Sequence, residues 1–127
     1  VSKILEEEHI IDRVRTETAP YLAQKWQALD DHPLVGEAAI AGMMGSLAMT
    51  PHKESRAKFA AEPGSIGYMC REHCFANNLV MRHVYDRMII SPPLVISTDE
   101  IDQLIARATN ALDATYAQAK SEGLLNV

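Results

Sequence analysis

Arg82 is the residue whose type and setting most invite chemistry. It closes one short apolar run, Leu79-Val80-Met81, and a second run, Met88-Ile89-Ile90, follows after a polar insert. Both runs read as strands, with Arg82 at the end of the first and Asp86 and Arg87 at the hairpin turn between them. A guanidinium hemmed in by apolar neighbours needs an anionic partner, because burying an unpaired charge is costly. Two kinds of partner fit. One is a ligand carboxylate or similar anion. The other is a structural group of the chain itself: Asp86, Glu37 or the C-terminus of a helix.

The other chemically capable residues form no comparable constellation. His9, His32, His52, His73 and His83 share no ligand spacing. Cys70 and Cys74 lie four apart with His73 between them, which would put both thiols on one helix face. A lone C-x-x-x-C is a weak metal signal, and a helix holds such a pair poorly for a disulfide. Small buried residues packing against a sheet is the plainer reading, and no metal site is assigned. Lys3, Lys25, Lys53, Lys58 and Lys120 all sit in polar stretches, so none reads as a desolvated nucleophile. Gly36, Gly42 and Gly45 match neither G-x-G-x-x-G nor G-K-[ST], so close backbone packing explains them better than phosphate binding. No Ser/His/Asp or Cys/His order stands out. The chain therefore carries no catalytic residue of its own that can be named, and no cofactor-binding residue.

The elements that must position Arg82 can be read in order. Ile4, Ile11, Val14, Leu22, Trp26 and Leu29 mark one helical face over residues 2 to 30, with Pro20 expected to kink or split the helix. Leu34 to Thr50 reads as strand segments over about 35–41 and 43–49, as one bent strand or a bulged pair. A polar surface connection spans Pro51 to Pro63. Gly64-Ser65 opens a helix with Ile66, Met69, Cys70, His73 and Cys74 on one face, and Asn77-Asn78 closes it. Pro92-Pro93 ends the second strand of the hairpin. Ser97-Thr98-Asp99-Glu100 is a capping box. It starts a last helix that buries Ile101, Leu104, Ile105, Ala108, Leu112, Thr115 and Ala119 and stops at Gly123. The order predicts an α+β fold: a small, mostly antiparallel sheet with helices packed on one face.

At 127 residues the chain can bury a real core. It is 47% hydrophobic and 23% charged, which argues against disorder, and its net charge of -5 argues against a general nucleic-acid or anionic-membrane role. No apolar run approaches the roughly 20 residues of a membrane span. Two cysteines without framework spacing, and no signal-peptide pattern, favour the cytoplasm. The chain opens at Val1 inside a helical pattern, with only Ser2 as a candidate cap, so it is expected to be a piece of something longer.

Asn77-Asn78-Leu79-Val80-Met81-Arg82, Asp86, Ile89-Ile90-Ser91-Pro92-Pro93-Leu94 and Thr98-x-Glu100-Ile101-Asp102 together resemble the C-terminal signature of class III aminotransferases. These are fold type I enzymes dependent on pyridoxal 5'-phosphate. Glu17-Thr18-Ala19-Pro20-Tyr21-Leu22, His32-Pro33-Leu34-Val35-Gly36-Glu37, Gly42-Met43-Met44-Gly45 and Gly64-Ser65-Ile66-Gly67 through Cys70-Arg71 extend the resemblance over essentially the whole chain. The ω-amino acid or amine:pyruvate transaminase branch is the most similar.

The resemblance implies a C-terminal small domain over 31–127, with residues 1–30 forming the interdomain helix and a large cofactor-binding domain lying elsewhere. It implies that the cofactor, which supplies the electron sink, is held by the parent enzyme and not by this piece, which alone would be inactive. It also implies a homodimer or higher homo-oligomer. Arg82 matches the mobile arginine that pairs with the substrate carboxylate and swings away from carboxylate-free amines; a planar fork on a long stem suits both tasks. Four positions depart from the family pattern. Ala39-Ile40 replace Arg-Gly, Ala48 replaces a glutamate, and Tyr85 replaces the glycine before Asp86, where its bulk is expected to narrow the pocket or hamper the swing. Two alternatives stay open: a free-standing α+β binding or regulatory module, and a 4-aminobutyrate or ornithine-type branch of the same class.

Overall fold

The computed structural model describes residues 3–55 and 57–126, so Ser2 as a helix cap lies outside the described residues. Helix α1 (Lys3–Arg13), a π-helical turn (Val14–Thr18), α2 (Ala19–Gln27) and a 3₁₀ turn (Ala28–Asp31) follow one another without a break. Pro20 has no N–H and sits in the first turn of α2. The strain is absorbed just before it, where the Ala19 N–H reaches back five residues to Val14 O. The proline therefore widens the helix by one turn and does not split it.

The expected apolar face is buried only in its second half. Leu22, Trp26 and Leu29 are core residues, whereas Ile4 is 66% exposed and Ile11 58% exposed. The reason is placement: the sheet packs against α2 and the 3₁₀ turn, not against α1.

Strands β1 (Val35–Ala41), β2 (Met44–Met49), β3 (Arg82–Val84) and β4 (Arg87–Ile90) form one antiparallel sheet in the order β1-β2-β4-β3. The first two make a hairpin, not one bent strand. Ala41 pairs with Met44 across a two-residue link whose first member, Gly42, has φ +60°, as a tight hairpin demands. The expected bulge is present at the other end of β1, where the register shifts between Val35 and Glu37.

Leu79–Met81 is not a strand. The ladder begins at Arg82, opposite Ile89. Two local facts move it. Asn78 takes φ +58° and the Leu79 N–H bonds back to Cys74 O at 2.8 Å, so the first residue of the run is used to close a helix. After the two-residue turn at Tyr85-Asp86, Val84, His83 and Arg82 pair with Arg87, Met88 and Ile89, and the ladder goes no further. Leu79 and Met81 still face inward and Val80 outward, without a ladder partner.

Helix α3 (Ser65–Ala76) lies against β3 and β4, and α4 (Thr98–Ser121) packs on α3 and α2. All three bury their apolar stripes with Val35, Leu47, Met49, Met88 and Ile90 from one face of the sheet. The capping box at α4 is complete: the Glu100 N–H donates to Ser97 Oγ and the Ser97 N–H to Glu100 Oε1, both at 3.1 Å. At its other end Gly123 has φ +71°, and the Leu124 N–H bonds to Ala119 O at 2.8 Å. Ser97→Ala should cost about 1 kcal/mol in urea unfolding at neutral pH. The Ser97 backbone N–H, then its hydroxyl, hold the Glu100 carboxyl below its usual range. The box therefore contributes fully above the ordinary glutamate pKa and fades as the pH falls through that lowered value, so the penalty of Ser97→Ala should shrink in acid.

Candidate functional site

Alternation along the ladder assigns the outward face of the sheet. The pairs Arg82–Ile89, Ile89–Ser46 and Ser46–Ala39 form one row, and Val84–Arg87, Arg87–Ala48 and Ala48–Glu37 form the next. No helix covers this face among the described residues. Arg82 is thus the first residue of the edge strand β3, on the open face, with an exposed side chain.

That corrects the expectation of a guanidinium hemmed in by apolar residues. The apolar neighbours Leu79 and Met81 turn into the core, and Arg82 turns the other way. The structural ion pair is not formed either. Among the described residues Arg82 joins none of the salt bridges, which are Arg13–Glu17, Arg15–Asp12 and His32–Asp113. The Asp86 carboxylate accepts the Gly67 N–H at 2.9 Å instead. Glu37 stands on β1, at the opposite edge of the sheet.

The turn beside Arg82 is tightly held. Asp86 Oδ1 ties it to the start of α3, and Asp86 O accepts the Met49 N–H at 3.0 Å. Gly67 lies so close that a Cβ there would stand 1.9 Å from Tyr85 O. Tyr85 has φ +52° and is 71% exposed. This conformation is costly for a tyrosine, since only glycine enters the left-handed region without a steric penalty. Tyr85 and Asp86 are the two turn residues, and Arg87 is the first residue of β4. The Arg87 Nη1 donates to Ser46 Oγ at 3.2 Å. Nothing in the sequence near Arg87 pointed to Ser46, which lies 41 residues away.

The remaining candidates stay apart. Cys70 and Cys74 are free and buried on α3. The hydrogen bond to Cys70, then burial, push the Cys74 thiol up, so it stays protonated at neutral pH. His32 bonds to Asp113, His73 to Gln118 and His83 to Tyr85 O. Among the described residues no group of three or more His, Cys, Asp or Glu could hold a metal ion. Lys3, Lys53, Lys58 and Lys120 are exposed, and Lys25 lies over the Tyr21 ring. No helix of the described residues is long and apolar enough to cross a membrane. Cavities open on two sides of the described residues. One of about 450 Å³ opens beside Arg87, Glu37 and Phe59; one of about 500 Å³ lies between Ile11, Val14, Ile40 and Leu94. Neither is lined by Arg82. The arrangement can bind an anion at a guanidinium.

No family model matches the chain. Over 115 residues it is 53% identical to the putrescine–pyruvate aminotransferase of Pseudomonas aeruginosa, covering 91% of this chain and 25% of that protein. It is 30% identical over 113 residues to a probable mitochondrial gamma-aminobutyrate transaminase 3 of Oryza sativa, covering 89% and 22%. The omega transaminase from Pseudomonas jessenii in complex with PMP superposes with a TM-score of 0.82 at 26% identity, over 93% of this chain and 26% of that one. The chain thus spans about a quarter of the length of the relatives it matches.

Proposed function

We propose, from the premise that this chain belongs to the class III, pyridoxal-phosphate-dependent aminotransferases as their C-terminal domain, that Arg82 binds the carboxylate of the substrate. The parent enzyme would move an amino group between an amine or ω-amino acid and a keto acid such as pyruvate. Residues 31–127 would be its small domain and 1–30 the helix linking it to the large one. It would work in the cytoplasm as a homodimer or larger homo-oligomer.

One observation carries the reading. Arg82 is exposed on an open sheet face and, among the described residues, has no carboxylate of its own. Its planar fork can take a carboxylate bidentately. Its long stem can retract when the substrate lacks one. On this reading the rest of the parent holds the cofactor and this domain supplies a wall of the substrate channel.

Arg82→Ala in the full-length parent tests the role. A charged hydrogen-bond pair contributes about 2 kcal/mol, so kcat/KM for carboxylate donors should fall roughly 30-fold. Activity on simple amines should stay within about twofold. An equal loss on both donor classes would overturn the assignment.

A further inference from the structure

The residues after α4 make a hook. Gly123 (φ +71°) turns the chain back at the end of the helix, and Asn126 (φ +56°) turns it again. Asparagine is among the side chains that tolerate this left-handed conformation. Between the two turns Leu125 is buried in the core, so the hook is anchored.

The hook holds a segment more than 60 residues away in the chain. The Ala60 N–H donates to Leu124 O at 2.9 Å, and Asn126 Nδ2 donates to Lys58 O at 3.2 Å. Among the described residues these are the only hydrogen bonds that tie 58–61 to the rest of the domain. The segment has no helix or strand of its own, and its one side chain packed against the core is Phe59. It roofs the cavity of about 450 Å³: Lys58, Phe59 and Ala61 line one side, and Gly36 and Ala48 of the sheet line the other. That volume falls within the range of small-molecule sites, about 300–1,000 Å³. A roof fastened by two hydrogen bonds belongs to the low-stability end of a fold, where local opening needs far less free energy than global unfolding.

We propose that residues 123–126 are a latch on this cavity. Leu125 is its anchor, and Leu124 O and the Asn126 amide are its catch. Docked, the hook keeps 58–61 over the sheet and sets the width of the cavity. Released, it lets that segment swing outward while the helices stay folded. The latch does not depend on the reading of Arg82.

Hydrogen–deuterium exchange of the full-length parent, read by mass spectrometry, tests it. Asn126→Gly keeps the left-handed backbone and removes the donor, so exchange over 58–61 should quicken about fivefold. Asn126→Asp sets an acceptor against Lys58 O and should quicken it at least as much. Leu125→Ala loosens the anchor and should exceed about tenfold. Exchange within α3 should stay within about twofold in all three, and trypsin cleavage after Lys58 should rise in step with roof exchange. Roof exchange unchanged by both Asn126 variants, or roof and α3 quickened by the same factor, would overturn the latch. Should Leu125→Ala unfold the domain, Asn126→Gly decides alone. Arg82→Ala should leave roof exchange untouched, so a failure of the latch and a failure of the carboxylate reading are told apart.

Discussion

Gly67→Ala should cost the fold about 3 kcal/mol, the upper end for overpacking, read as a lowered urea midpoint at unchanged m-value. The added Cβ would stand 1.9 Å from Tyr85 O, 3.0 Å from His83 Nδ1 and 3.1 Å from Tyr85 C. Two of the three are backbone atoms, which cannot rotate away as a side chain would. They cannot drift either, because Asp86 is bonded on one side to the Gly67 N–H and on the other to the Met49 N–H. The substitution must break one of those bonds or push the hairpin off the helix. In the parent enzyme it should also raise KM for carboxylate donors, since the displaced hairpin carries Arg82. A stability change under about 1 kcal/mol would show that the turn is more compliant than this geometry.

Trp26→Ala should cost more, about 4 kcal/mol. Trp26 is fully buried, and its Nε1–H donates to Ser46 O at 3.1 Å. Its loss leaves a large cavity and strips that carbonyl of its partner. The ring also explains Gly45, where a Cβ would stand 2.6 Å from Trp26 Cε2. The two positions should therefore couple. Gly45→Ala should be strongly destabilising beside tryptophan and much milder once Trp26 is alanine, with a double-mutant coupling energy above about 1 kcal/mol. Additive effects would mean that the ring and the strand adjust independently.

The limits of the helices were legible because their stop signals are local. Ser97 and Glu100 cap their own helix, Gly123 ends it, and Asn78 closes α3 by taking a left-handed conformation that its side chain tolerates. The strand containing Arg82 was misplaced by three residues for the opposite reason. Leu79-Val80-Met81 has the composition of a strand, but the limits of a ladder depend on pairing between segments, and Leu79 is already engaged in closing α3. Arg82 is exposed because side chains alternate along the segment: with Leu79 and Met81 in the core, Val80 and Arg82 turn outward. Ile4 and Ile11 misled because an apolar stripe shows that something can be covered, not that this stretch of chain covers it. For the candidate site, the sequence and its family resemblance named Arg82. The row that joins it to Ile89, Ser46 and Arg87 depends on pairing between segments some 40 residues apart, which no local pattern records.

Arg82 stands on the outermost strand of the sheet, three residues long and bonded to a neighbour on one side only. Its immediate company, Val84 at 45% and Tyr85 at 71% exposure, contributes little to the core. Mutations here can be sampled without a stability toll, whereas the glycines and the tryptophan beneath are nearly frozen. On the reading of Arg82 proposed above, substrate range in such a lineage can drift quickly over a scaffold that barely changes, and overall sequence identity to a relative of known preference would then be a poor guide. The identities of a few residues on that outer strand and its turn would be the better one.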